Sequence, residues 1–478
     1  MSCLKECESL LKFHAEITNQ FPKTSPHFET WVKKLNEIRN RSNIESLESE
    51  SDLNKLSLLF RQLCLNIANH HTSKYLKSPP HYQPVKAMSG DKFTFPYDRW
   101  GKPFHFEKRY TNQQPLLSNW SQRHYFFTNA MAAVSTLLIH FKNFMPNKKL
   151  SILGHDSYFE FFTLLKLMSS SDISARLSIK EEKFYTHIEN GTGNLIFIEP
   201  VFANSSLTVF DSERFTKAWK NRPNKDSTLI LIDTTLVGDR FDMKSFTETL
   251  EPHPPALLLC VTSALKLHQI GLEMANLAIV SSYISKKSKY YEDRKHIRKS
   301  LCLCRQTMGT GATFEQYSSI DFPMLSKQAL FTQHCEQVFS NNAFVARELA
   351  DISGLIKQVI HPTLSKKQSS PWAVSPYIIF TLKEGTKKDL RFLRRVLENQ
   401  ANRLGISFHS GSSFGFRFHR FEVNDYHNEK ELSFRIAMGA CNGPSVIEII
   451  KLIKKMSTFE NFHNMRRAFP KIPHPDDT

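Results

Sequence analysis

The sequence lacks any long apolar run. No stretch approaches the roughly 18 residues that cross a bilayer, so no membrane partner is expected. Glycine is scarce, with 16 in 478 residues, which excludes collagen-like and Gly-rich linker architectures. Acidic residues are outnumbered, 46 against 63 basic, giving a formal net charge of +17. The basic clusters at 286–289, 294–299 and 391–395 are scattered, however, and no DNA- or RNA-binding motif accompanies them. They read as solvated faces, and nucleic acid is not expected as a partner. Cysteine is sparse and dispersed. Cys302-x-Cys304 has no second pair at zinc-ribbon spacing, and Cys3 and Cys7 share one helix face. Free thiols in a reducing compartment, and no metal, follow. The opening MSCLKECESLLKF carries Glu6 and Glu8 and no small-residue cleavage site, so it reads as no secretory signal, and a cytoplasmic location is expected.

Phenylalanine is abundant, at 38 residues, and the hydrophobic share of 40% suits a chain with a sizeable core. Residues up to about 75 read as helices, with Leu56, Leu59, Phe60, Leu63 and Ile67 forming a helical stripe. Ser78–Pro84, SPPHYQP, reads as a linker. From about 150, short apolar runs alternate with helix-length segments: LSIL, NLIFIE, TLILID, ALLLCV and LAIVS. Runs of that kind suit strands buried on both faces of a mostly parallel sheet. After about 325 a helix, the strand-like SPYIIFTL, another helix, LSFRIAMG and a last helix read as an α+β domain. The expected organisation is a helical extension and linker over 1–85, a large α/β domain over 86–325 and a small α+β domain over 326–478.

Several motifs carry nothing. Gly411-Ser412-Ser413-Phe414-Gly415 matches a nucleophile elbow, but too little chain follows to supply an acid and a histidine. Asn190-Gly191-Thr192-Gly193 precedes a strand instead of following one, so it reads as a turn. His70, His71, His409 and His419 form no set of metal ligands.

The informative stretch is 228–271. Asp233 closes the apolar strand TLILID, at the end where open α/β sheets place ligands. The next run, ALLLCV, leads into Thr262-Ser263-Ala264-Leu265-Lys266. A carboxylate able to hold a protonated ring nitrogen, with a lysine able to form an imine, is what pyridoxal phosphate chemistry requires.

The ordered set of motifs resembles the fold-type I pyridoxal-phosphate enzymes, and most closely the Cys/Met-metabolism (transsulfuration) group. Tyr97-Asp98-Arg99-Trp100-Gly101-Lys102-Pro103 resembles Y-S-R-S-G-N-P, Thr128-Asn129-Ala130-Met131-Ala132-Ala133 resembles S-S-G-M-A-A, and Asp156-Ser157-Tyr158 resembles D-x-Y. Glu199-Pro200 with Asn204 resembles E-x-P-x-N, Ser263–Lys266 resembles S-x-T-K, and Ser413-Phe414-Gly415 with Arg435 resembles the late S-L-G and R-x-S-x-G. The resemblance implies a large domain of fold type I and pyridoxal 5'-phosphate as cofactor. It implies that Lys266 bonds the cofactor and serves as base at Cα, and that Asp233 partners the ring nitrogen. Tyr158 would stack on the ring and move protons, and Asn204 would meet the ring hydroxyl. Asn129, Ala130 and Met131 would hold the phosphate, with Ser263 also in the cofactor site. Tyr97 and Arg99 would reach the phosphate of a neighbouring subunit in a homodimer or homotetramer. Arg435 and Ser413 would hold the amino-acid substrate, Arg435 by its carboxylate.

The chain departs from the group at Leu265, where Thr is usual, at Ala130 in place of Gly, and at Phe159-Glu160-Phe161 in place of Gly-Gly-Thr. After the lysine the Gly-Gly-His run is absent, with Gly271 as its remnant. The function implied is elimination or replacement at Cβ or Cγ of a Cys-, Met- or homoserine-like substrate. An aminotransferase is the alternative within the same chemistry. A non-catalytic scaffold, with the N-terminal helices as a partner-binding module, is the alternative outside it.

Overall fold

The computed structural model describes residues 3–78, 84–94, 97, 100–144, 149–155, 157–365, 370–423 and 432–474. Most of the expected linker, residues 79–83, therefore lies outside the described residues. The chain forms two compact bodies. One comprises Ala68–Leu265 and Met274–Phe322; the other comprises Met1–Ile67, Lys266–Glu273 and Pro323–Thr478. Among the described residues no helix is long and apolar enough to cross a membrane.

The first body is built on a seven-stranded sheet. Its strand order is Trp120–Phe127, Ala278–Ser285, Leu257–Ser263, Leu229–Asp233, Leu195–Ile198, Leu150–His155 and Ile173–Ile179. Ala278–Ser285 pairs antiparallel with both neighbours, and the other strands run parallel. The five apolar runs read from the sequence are the five inner strands. Leu229, Ile230, Leu231 and Ile232 are wholly buried, as strands covered on both faces must be. Helix Ala130–Phe144 lays Ala133, Val134, Leu137, Leu138 and Phe141 into the core, and helix Arg294–Met308 adds Ile297 and Leu301. A buried ion pair, Glu107 with Arg305, braces the outer strand. Phe126 N–H donates to Glu107 Oε1 at 3.1 Å, and Arg305 Nη1 donates to Phe126 O at 3.1 Å.

The second body combines the two ends of the chain. Helices Cys3–Gln20, Glu29–Arg39 and Leu47–Thr72 bury Leu10, Phe13, Ile17, Trp31, Leu35 and Phe60, and Trp31 packs on Phe60 at 5.0 Å. A five-stranded sheet runs Ile356–Ile360, Ile378–Leu382, Ser433–Ala437, His419–Val423 and Phe408–Ser410, antiparallel except for the last pair. One face of it, with Phe380, Phe421, Phe434 and Ile436, packs with helices Gln328–Glu348, Lys387–Leu404 and Ser445–Ser457. Helix Lys387–Leu404 starts where it does because Thr386 and Asp389 form a capping box, and Gly405 closes it in the left-handed conformation. In LSFRIAMG, Phe434, Ile436 and Met438 enter the core, and Arg435 is half-buried on the opposite face. The N-terminal helices join this body through specific bonds. Glu50 Oε2 accepts Ser445 N–H at 2.8 Å, Asn54 Nδ2 donates to Ser407 Oγ at 2.6 Å, and Glu6 pairs with Arg417.

None of the eight cysteines forms a disulfide among the described residues. Burial disfavours the charged form of several of the buried histidines. It pushes His124, His140 and His361 down to about 4, and His334 and His419 down to about 3.

Candidate active site

In the first body the sequence motifs gather at the carboxyl edge of the sheet. Asp233 ends its strand opposite Val261 of the neighbouring strand. Its Oδ1 accepts Thr235 N–H at 2.8 Å, and the Thr235 hydroxyl accepts Ser263 N–H at 2.9 Å. A single threonine, absent from the sequence reading, thus ties Asp233 to Ser263. Lys266 follows Ser263 by three residues in the chain.

Asn129 stands just before helix Ala130–Phe144, where the first backbone N–H groups have no helical acceptor. Its Oδ1 accepts Ala132 N–H at 2.8 Å. Tyr158 precedes helix Phe159–Met168, and its N–H donates to Glu199 Oε1 at 3.3 Å. The other oxygen of this buried carboxylate accepts Ala203 N–H at 2.9 Å, so Glu199 joins two strand ends. The Phe-Glu-Phe departure begins a helix: Phe161 is buried and stacked on Phe197 at 4.1 Å, while Phe159 meets the Tyr158 ring edge-on at 4.9 Å. Asn204 serves its own turn. Its Oδ1 accepts the N–H groups of Ser206 and Thr208, and its Nδ2 donates to Thr208 Oγ1 at 3.3 Å. Tyr97 is half exposed. Arg99, Asp98 and Asp156 lie outside the described residues.

In the second body two cations are bridged by two rings. Lys266 Nζ stands 4.2 Å from the centroid of Phe414, Phe414 packs on Tyr377 at 5.5 Å, and the Arg435 guanidinium lies 5.2 Å from the Tyr377 ring. Lys266 and Arg435 are therefore linked by aromatic residues to which the resemblance gave no role. Ser413 precedes Phe414 with a left-handed backbone, φ +74°. The Gly411–Gly415 run joins strands Phe408–Ser410 and His419–Val423, so the strand–turn–helix context of a nucleophile elbow is absent, as expected. Arg435 also forms an ion pair with Glu422, its partner across the strands. The sequence reading did not find Glu422. Its polar alternation with Phe421 and Val423 was visible, but the register that sets it opposite Arg435 was not.

No family model matches the chain, and no curated protein matches it either. Solved structures do. A cystathionine gamma-lyase from yeast matches with a TM-score of 0.54 at 14% identity, over 83% of this chain and 98% of that one. CalE6, a methionine gamma lyase from Micromonospora echinospora, matches at 0.53 and 14%, over 78% and 91%. MetB from Corynebacterium glutamicum matches at 0.52 and 13%, over 76% and 87%. At these identities the likeness is one of fold. The chain has the expected α/β architecture, a mostly parallel sheet flanked by helices, on which the pyridoxal 5'-phosphate enzymes of fold type I are built.

Proposed function

We propose that this chain is a pyridoxal 5'-phosphate-dependent enzyme that eliminates or replaces a group at Cβ or Cγ of a Cys-, Met- or homoserine-like amino acid. The observation that carries the reading is the carboxyl edge of the large sheet. There Asp233 and Ser263 end neighbouring parallel strands, locked through Thr235, and Lys266 follows in the chain. The edge also has polar capacity that the chain leaves unused. Ser157 Oγ and Thr262 Oγ1 are buried with no hydrogen-bond partner among the described residues. Buried hydroxyls are ordinarily bonded, so a polar ligand fits this edge.

Pyridoxal phosphate, when bound, supplies an electron sink for negative charge developing at the substrate's Cα. The chain's own residues would do the rest. Lys266 would bond the cofactor and then carry the proton at Cα. Asp233 would hold a proton at the ring nitrogen. The N–H groups of Ala130 and Met131 would meet the phosphate, since Asn129 already takes that of Ala132. Tyr158 would stack and move a proton at Cβ or Cγ, with Asn204 near the ring hydroxyl. Arg435 would take the substrate carboxylate once Glu422 yields it, with Ser413 beside it. Tyr97 and Arg99 would complete the phosphate site of a second copy in a cytoplasmic homodimer or homotetramer.

The test is borohydride reduction of the protein loaded with pyridoxal phosphate, followed by peptide mapping. The label is expected on Lys266, and Lys266→Ala should lose both label and turnover with an unchanged circular dichroism spectrum. A label on another lysine overturns the assignment. Release of a keto acid with ammonia or thiol marks a lyase, whereas stoichiometric amino transfer marks an aminotransferase.

Two observations favour a second reading, a non-catalytic scaffold: Glu422 occupies Arg435, and Asn204 is engaged in its own turn. On that reading amino acids leave the spectrum of the loaded protein unchanged.

A further inference from the structure

The segment Lys266–Glu273 has an unusual backbone. Three of its residues are left-handed: Ile270 at φ +47°, Gly271 at +75° and Glu273 at +49°. Glycine takes that region freely, but a β-branched isoleucine does so only when its surroundings force it. Gly271 has no room for a side chain, since an added Cβ would lie 2.6 Å from Arg417 N.

Both strained carbonyls are held by arginines. Arg61, on helix Leu47–Thr72, donates to Glu273 O through Nε at 3.1 Å and Nη2 at 2.8 Å. Arg417 Nη1 donates to Ile270 O at 3.3 Å, and the charge of this buried guanidinium is met by Glu6 of the first helix. Arg420 adds a bond to the Glu273 carboxylate at 2.6 Å. The N-terminal helices thus supply one of the gripping arginines outright and the counter-ion of another.

We propose that residues 3–67 act as a clamp that holds this segment in its strained form and so positions Lys266. The proposal rests on the reading of Lys266 as the cofactor-bonding residue, and Glu6, Arg61 and Arg417 are positioning residues within it.

The test uses the full chain with Arg61→Met. Its control is Lys327→Met, which breaks the ion pair of Lys327 with Glu16 of the first helix and leaves the bonds to Ile270 and Glu273 named above in place. Without cofactor, amide hydrogen exchange over 267–273 should accelerate about tenfold in Arg61→Met and stay unchanged in the control. Titration with pyridoxal phosphate should show binding weakened about tenfold, with correspondingly slower trapping at Lys266 by borohydride. Ile270→Gly, added to Arg61→Met, should restore most of the binding, because glycine takes the left-handed form without help. Arg61→Lys, which keeps one donor, should fall between if Arg61→Met fails to fold. Unchanged exchange overturns the clamp. Faster exchange with unchanged cofactor binding, or no rescue by Ile270→Gly, overturns the positioning role. If the wild-type chain takes no label at Lys266, the functional reading falls, and the exchange measurement still decides the clamp.

Discussion

Each body holds an arginine–glutamate pair with a deeply buried guanidinium, and the two are embedded differently. Glu107 and Arg305 are both about 3% exposed, and both also bond to the backbone of Phe126 in a regular strand. Glu6 and Arg417 are nearly as buried, but the further bond of Arg417 goes to Ile270 in a strained loop. A regular strand keeps its shape through its ladder bonds. A left-handed isoleucine has no such support. The same pair of side chains is therefore replaceable in one setting and specific in the other. Buried ion pairs are weak contributors to stability compared with well-packed apolar residues, yet breaking one is expensive because a lone charge remains.

The largest effect expected is from Arg305→Met. It leaves Glu107 buried and unpaired, and should cost about 3–5 kcal/mol of stability in denaturant unfolding. Adding Glu107→Leu should recover most of that loss; a double variant as unstable as the single one would break the comparison.

The matching pair in the other body, Glu6→Leu with Arg417→Met, should likewise regain most of the stability lost by Arg417→Met alone. It should not regain tight pyridoxal phosphate binding, because Ile270 O has lost its donor. Recovery of both would make the two pairs equivalent.

Acid should weaken both bodies. His124, His140, His334, His361 and His419 have folded values of about 3 to 4 against an unfolded 6.5, so below pH 6.5 the unfolded chain binds more protons. Their contribution is complete above pH 6.5 and is lost as pH falls from there toward 4. Each costs up to about 1.4 kcal/mol per pH unit over that range. His334 Nε2 lies 2.9 Å from Gly415 O, and because a carbonyl oxygen only accepts, the ring donates there. His334→Gln keeps a donor there and should flatten the pH dependence of unfolding; an unaltered slope would remove this histidine from the account.

The smallest effect on stability is expected from Glu422→Gln. This pair is over a fifth exposed on both sides, and such pairs contribute about 0–1 kcal/mol. Its kinetic effect should be larger. Freed of its neighbour, Arg435 should bind an amino-acid carboxylate more tightly and lower KM about threefold to tenfold, the scale of a charge-assisted hydrogen bond. A raised KM would assign Arg435 to some other partner.

The inner strands were legible because strands covered on both faces leave a continuous apolar run. The outer strands Trp120–Phe127 and Ile173–Ile179 were not, because an edge tolerates residues such as Ser121, Gln122 and Arg123. Asp233, Ser263 and Lys266 could be read because each follows an apolar run. The links between them could not. Thr235 acts through strand register, Phe414 and Tyr377 through rings far apart in sequence, and Glu422 through cross-strand pairing. Gly271 hinted at a left-handed turn, whereas nothing in Ile270 or Glu273 as residue types did. The apolar stripe of the N-terminal helices was plain, but a stripe does not say which surface covers it.

The body that begins the chain also ends it, and this sets a timetable for synthesis. Asn54 bonds a residue 353 positions later, Glu50 one 395 positions later and Glu6 one 411 positions later. At about 5–20 residues per second, the first helices wait roughly 20–80 s on the ribosome for these partners. During that wait Phe28, Trp31 and Phe60 can pack on one another, with centroids 5.0–6.3 Å apart. The partners of Glu6 and Glu50 named above are made late, so a chain released before residue 417 is made presents an aromatic kernel beside two carboxylates that lack Arg417 and Ser445. Such a fragment is a natural substrate for chaperones and proteases, and translation that stalls late in this message should yield degradation in place of a stable first domain.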